Sequence, residues 1–296
     1  MLSKFHKIFD AMTVAERQIF QITFLTLLVS LLLTGANIFY KKTVLTPVEG
    51  GSYTEGLVGQ PIVINPLIAG SNDVDKDLIE IAFADLIELA ETYKETDGGK
   101  TWTIELKEDA KWSDGEALTS DDIVFTMEAI KNPDTHSGLF ATWQGVSVER
   151  LGERAVKFSI KTPYAFFLDN LKGLKIVPQH IFGAVPPANL RLSDYNLEPI
   201  GSGPYTFTSF EKRKDGFLSR YHFVANPYYA TSSPLIKEIN FSFYKNSEEA
   251  INAFNRREID GLGGIAPEDI AKIKIGHQEK EIEIPRYYAL FLNQTT

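Results

Sequence analysis

Hydrophobic and polar positions follow several distinct patterns along this chain. From Gln18 to Tyr40 it reads QIFQITFLTLLVSLLLTGANIFY, 23 residues without a charge. At 1.5 Å per residue that makes roughly 35 Å of helix, enough to cross a hydrocarbon core of about 30 Å. Thr13-Val14-Ala15-Glu16 fits a capping box, so a helix is predicted to start just before the apolar run. After a short linker over 43–51 the period changes repeatedly. Asp75 can cap a helix whose positions Leu78, Ile79, Ala82, Phe83, Leu86 and Leu89 share one broad face. Trp102, Ile104 and Leu106 alternate with Thr103 and Glu105, as in a half-buried strand. Ser113-Asp114-Gly115 reads as a turn, and Thr119 then caps a helix with Asp122 at its third position and Ile123, Val124, Met127 and Ile130 along one side. Val156, Phe158 and Ile160 predict a strand, Thr162-Pro163 a short helix with proline at its first position, and Ile239, Phe241 and Phe243 another strand. Ser247-Glu248-Glu249 opens a helix carrying Ile251 and Phe254, Pro267-Glu268-Asp269 opens one more, and 281–293 reads as a last strand. Strands alternating with helices predict an α/β or α+β domain.

Composition narrows this picture. The 296 residues are 44% hydrophobic and 12% aromatic, which excludes wholesale disorder. The net charge of −9 leaves no electrostatic footprint for nucleic acid. There is no cysteine, so disulfides, thiolate metal sites and cysteine nucleophiles are excluded. The uncharged run competes between a cleaved signal peptide, for which Thr34-Gly35-Ala36 offers small residues, and a retained anchor. The anchor is favoured because the run continues through Ile38, Phe39 and Tyr40. Leu33-Thr34-Gly35-Ala36 also has the form of a lipobox with Ala in place of the lipidated Cys. Lys4, Lys7 and Arg17 before the segment against Lys41 and Lys42 after it give a slight bias toward a cytoplasmic N-terminus, with the long domain outside.

The candidate chemistry is mostly negative. No pair among His6, His136, His180, His222 and His277 has metal-ligand spacing. Asp73-Val74-Asp75-Lys76-Asp77 has Leu78 where a calcium loop needs Gly and Ala84 where it needs Glu, so a helix N-cap is the better reading. Gly261-Leu262-Gly263-Gly264 lacks a phosphate motif after it. No serine lies in a Gly-x-Ser-x-Gly elbow. No metal, no cofactor and no catalytic residue is expected.

Five stretches carry a resemblance: GLVGQPIVINPL (56–67), DGGKTWTIELKEDAKWSDGEALTSDDIVFTMEAI (97–130), LKIVPQHIF (174–182), GSGPYTF (201–207), and RYHFVANPYYA with INFSFYKNSEEAINAFNRREIDGLGG (220–264). In this order they resemble the extracellular solute-binding proteins of family 5, the dipeptide- and oligopeptide-binding proteins of ABC importers. Ser202 stands where the family has Thr, and Arg257 where it usually has Gly. The resemblance implies an α/β (α+β), periplasmic-binding-protein-like type II fold: a first lobe with an inserted subdomain and the start of a second lobe, preceded by one transmembrane helix. The expected division is a cytoplasmic segment 1–17, a signal-anchor helix 18–40, a linker 41–51, lobe I at 52–245 with the insert at about 78–172, and the beginning of a truncated lobe II at 246–296.

The resemblance also implies a function. The protein would be the extracytoplasmic component of an ABC transporter, holding a peptide or similar small solute between two lobes and handing it to permease subunits, with 18–40 in the lipid bilayer. A membrane-anchored sensory or accessory binding protein and a membrane-anchored hydrolase are the alternatives. By position, the expected ligand contacts are Gln60 and Pro61 in the opening strand, Phe140 and Trp143 in the smaller subdomain, Ser202 and Gly203 near the hinge, and Tyr287 and Tyr288 at the chain end. Core packing is the competing reading for each aromatic. A tight turn is the competing reading for Gly201 and Gly203.

Overall fold

A computed structural model describes residues 11–44 and 46–282. The chain divides into two units, residues 1–48 and 49–296. In the first, helix α1 (Val14–Lys42) is capped as expected: Thr13 Oγ1 accepts from Glu16 N–H, and the Glu16 carboxylate accepts from Thr13 N–H at 2.8 Å. Lys41 and Lys42 close its last turn, where cations complement the helix dipole. The hydroxyls of Thr23, Thr26 and Thr34 donate to the carbonyls of Ile19, Ile22 and Ser30 at 2.7–2.8 Å. These polar groups are therefore satisfied within the helix, as a lipid environment requires. Among the described residues this one helix is long and apolar enough to cross a membrane.

The second unit holds two sheets over one continuous core. Strand β1 (Ser52–Val58) leads through a loop to α2 (Asp73–Ala82) and the single turn α3 (Leu86–Leu89). Then come β2 (Ala90–Thr96), β3 (Thr101–Leu106), α4 (Ser120–Lys131), the turn α5 (Phe140–Trp143), β4 (Val146–Arg150) and β5 (Ala155–Ile160). The strands pair in the order β2-β3-β5-β4, antiparallel throughout. Trp102, Ile104, Leu106, Val156 and Phe158 are buried at the alternate positions their pattern predicts. Helix α4 closes this sheet, held by the Thr119–Asp122 capping box.

After α6 (Phe167–Lys172) and α7 (Gln179–Phe182) the chain enters the other sheet with β6 (Tyr205–Lys212), β7 (Leu218–Ala225) and β8 (Glu238–Tyr244). Helix α8 (Ser247–Asn255) then leads to β9 (Gly261–Leu262), and α9 (Pro267–Ile270) follows. The order is β6-β7-β8-β1-β9. Strand β1 lies between β8 and β9, parallel to both, so the β8–α8–β9 connection crosses over it. Phe207, Tyr221, Phe223, Phe241 and Phe243 fill the core face with ring centroids 5.3–6.2 Å apart, in the tilted, edge-on and stacked geometries aromatic pairs adopt.

Several expectations need correcting. The single helix expected after Asp75, carrying Leu78 to Leu89, is two helices. Asn72, not Asp75, caps the first, and Asp75 is buried inside it, accepting from Ile62 N–H at 2.6 Å. Burial pushes the Asp75 carboxyl above its ordinary range, and N–H groups of Ile62 and Val63 pull it back. Thr162-Pro163 starts no helix: α6 begins at Phe167, and Pro163 lies where a Cβ on Gly99 would meet it at 3.2 Å. The opening strand is 52–58, so Gln60 and Pro61 follow it. Within 246–296, where the start of a second lobe is expected, α8 is followed by β9, which pairs with β1 at the edge of the five-stranded sheet. The strand expected at 281–293 lies almost wholly outside the described residues.

Arg257 sits at φ 60°, just after α8, in the left-handed region that favours glycine. This is the position where the resemblance leads one to expect glycine. Arg257→Gly should stabilise the folded domain by about 0.5–1 kcal/mol, because relief of left-handed strain outweighs the added freedom of the unfolded chain. Arg257→Ala keeps the Cβ and should give no gain. Urea denaturation of the three proteins separates the outcomes.

Candidate functional site

Four of the five stretches that carry the resemblance, all but 56–67, meet at one junction between the two sheets. Ser113 N–H donates to Gly201 O at 2.8 Å, and Gly201 N–H donates back to Ser113 Oγ at 3.2 Å. Gly203 N–H donates to Ala82 O at 2.8 Å, and Ala84 N–H to Ser202 Oγ at 3.3 Å. Asn226 closes the other side: its Nδ2 donates to Gly203 O at 2.8 Å and its N–H to Pro204 O at 2.8 Å. Gly115, at φ 93°, lies against the Tyr228 ring, which a Cβ there would meet at 3.5–3.6 Å. Asp114 Oδ2 lies 2.8 Å from His180 Nε2, and the His180 ring centroid is 6.4 Å from that of Trp112.

The start of α4 is tied into the same knot. Asp122 accepts from Thr119 N–H through Oδ2 and from Gln179 N–H through Oδ1, both at 2.8 Å. Burial raises its carboxyl pKa, while these donors favour the charged form. Thr126 Oγ1 accepts from Val177 N–H at 3.0 Å. The polar groups of this knot are thus largely paired with one another, and it works as a scaffold.

The expected contact residues scatter across this scaffold. Gln60 is half-buried. Its Oε1 accepts from Leu218 N–H at 2.8 Å and its carbonyl from Asn72 Nδ2 at 3.0 Å. Pro61 is buried beside it. Ser202 and Gly203 are buried in the junction, Ser202 at 1% exposure. Trp143 is buried, its ring 6.3 Å from Phe158 and 6.1 Å from Phe167. Phe140, three residues earlier on the same turn, is 38% exposed. Tyr287 and Tyr288 lie outside the described residues.

Phe140 borders a concavity of about 390 Å³ whose other walls are Asn132, Pro133, His136 and Ser137. Ser137 Oγ donates to Leu67 O at 2.6 Å, which fixes this wall against the loop after β1. His136 has φ 51° and ends a short 3-10 turn capped by Asn132. Of these wall residues only Phe140 was expected. The one sequence signal for the others is the Asn132-Pro133 dipeptide, which marks a turn without naming its use.

The five-stranded and four-stranded sheets with their helices make a mixed α/β fold, and it matches solved structures of periplasmic-binding-protein type II solute-binding proteins. Over 77% of this chain and 46% of the other, the structure resembles the oligopeptide-binding protein AppA from Bacillus subtilis in complex with a nonapeptide (TM-score 0.67, 28% identity). It also resembles NikZ from Campylobacter jejuni in complex with Ni(L-His) (TM-score 0.63, 26% identity, 75% and 45% covered). A profile of the bacterial extracellular solute-binding proteins, family 5 middle, matches residues 87–296, and the chain belongs to that family. In sequence it is 31% identical to B. subtilis AppA over 239 residues, 76% of this chain and 43% of the relative. It is 30% identical to protein XP55 of Streptomyces lividans over 73% of this chain and 39% of the relative. The chain therefore spans less than half the length of these curated relatives.

Proposed function

We propose that this protein is the extracytoplasmic solute-binding component of an ABC importer and that it supplies one wall of a two-lobed site for a peptide or similar small solute. The observation that carries this reading is the match to AppA, whose structure holds a nonapeptide. The first lobe is the five-stranded sheet with its helices, into which the four-stranded sheet is inserted. Phe140, with the wall over 132–140, is the contact this lobe offers. Trp143 anchors the turn that carries Phe140, Gln60, Pro61, Ser202 and Gly203 belong to the scaffold beside it, and Tyr287 and Tyr288 remain proposed contacts by position. Helix α1 is a retained single-pass anchor that keeps the domain on the outer face, close to the permease. The protein is read as a binding component and not as an enzyme, and what supports this is its membership of a family of solute-binding proteins.

One wall buries little of a solute, whereas pocket sites cover about 70–90% of a ligand's surface. The 296-residue chain in lipid nanodiscs should therefore bind short peptides with Kd on the order of 1 mM, equivalent to about −4 kcal/mol. NMR titration detects binding in that range. Micromolar affinity would overturn the two-lobe division. N-terminal sequencing of the membrane-extracted protein should find residues 18–40 intact, and a chain starting at Asn37 would show that the helix is a cleaved signal.

A further inference from the structure

We infer that the wall over 132–140 takes an uncharged, preferentially aromatic side chain of the solute, seated on the Phe140 ring. This rests on the solute-binding reading above and adds to it the chemical class of one subsite. The five lining residues are Asn132, Pro133, His136, Ser137 and Phe140, and none carries a carboxylate, ammonium or guanidinium group. The hydroxyl and amide here are largely committed to holding the wall. Ser137 Oγ donates to Leu67 O at 2.6 Å and accepts from Leu139 N–H at 3.2 Å, and Asn132 Oδ1 accepts from Asp134 N–H at 2.9 Å. What the wall presents to a ligand is Pro133 and the two rings of His136 and Phe140.

The platform is pre-set. Trp143 anchors the α5 turn in the core, between Phe158 and Phe167, and this fixes Phe140 at its exposed end. At about 390 Å³ the concavity is an open depression with room for an aromatic side chain. A charged side chain placed there would meet no opposite charge among the five lining residues, the Asp134 carboxylate lying outside them, whereas an aromatic ring would bury the exposed part of Phe140 in the ring-to-ring geometry aromatics favour. Charged ends of the solute are then recognised elsewhere in the receptor.

The test titrates Ala-Phe-Ala, Ala-Lys-Ala and Ala-Glu-Ala into the full chain in nanodiscs, with His and Phe rings isotopically labelled. Ala-Phe-Ala should shift the His136 and Phe140 signals and saturate at about tenfold lower concentration than the two charged peptides. Phe140→Ala should abolish that preference, and Phe140→Leu should keep only the part that comes from apolar contact. Phe140 is partly exposed, so neither change empties the core, and thermal melts of both variants check this. Equal or reversed preference, or a preference that survives Phe140→Ala, overturns the subsite while leaving the receptor reading intact. No saturable shift with any of the three peptides likewise overturns the subsite.

Discussion

Gly201→Ala should cost the domain about 4 kcal/mol or more and leave little folded protein at 37 °C. The position has no room for a side chain. A Cβ on Gly201 would lie 1.8 Å from Ala82 O and 2.7 Å from Ala82 C. Both are backbone atoms at the end of α2, so no rotamer change relieves the clash. Moving α2 would break the Gly203 N–H to Ala82 O bond at 2.8 Å, and moving Gly201 would break its paired bonds to Ser113. Losses above about 4 kcal/mol are rare for single substitutions and belong to changes of this kind, against a total stability of about 5–15 kcal/mol. Gly216→Ala is the control. It also places a Cβ on glycine, at φ 88°, but the nearest contact is Lys212 Cε at 3.8 Å, so only backbone strain of about 1 kcal/mol applies. Thermal melting and yield of the two variants give the comparison. A Gly201→Ala protein that melts like Gly216→Ala would show that the junction yields easily.

That junction also marks where sequence reasoning stops. Helix α1, the Thr119 cap and the alternating strands are legible because each depends on residues within a few positions of one another. The break between α2 and α3 is not. Ala82-Phe83-Ala84-Asp85 contains no glycine or proline, and its apolar spacing continues the helix. The chain leaves the helix because Gly203 N–H takes the Ala82 carbonyl and Ser202 Oγ takes the Ala84 N–H, partners some 120 residues away. The site is obscured for the same reason. Phe140 and Trp143 share one turn and one chemistry, and the spacing cannot tell which faces the core. Packing against Phe158 and Phe167 decides that Trp143 does. Ser202 and Gly203 stand in a motif that resembles a family hallmark, but their groups are spent on holding α2. Arg257 is the converse: the departure visible in the sequence coincides with an observed left-handed backbone.

Lys175→Ala should destabilise the domain by about 2–3 kcal/mol, the largest effect expected from losing a single ion-pair partner here. The Lys175 side chain is 8% exposed, and its Nζ lies 2.8 Å from Asp85 Oδ1, 3.1 Å from Glu80 Oε2 and 3.1 Å from Phe83 O. One ammonium thus joins the end of α2, the start of α3 and the segment leading to α7, where Leu86 N–H also donates to Leu174 O at 2.8 Å. Removing it leaves a buried carbonyl and a partly buried carboxylate without their donor. Breaking a fully buried pair costs about 3–5 kcal/mol, whereas exposed pairs are worth about 0–1 kcal/mol. Asp85 is 33% and Glu80 67% exposed, so water takes over part of the loss and the effect lies below the fully buried range. Asp85→Ala alone should cost less, because the ammonium keeps Glu80 and the Phe83 carbonyl. In a double-mutant cycle the pair should show a coupling of about 1 kcal/mol or more. Urea denaturation of the four proteins measures it. A Lys175→Ala loss under about 0.5 kcal/mol would place this lysine among ordinary surface pairs and leave the glycine contacts as the main tie between the two sheets.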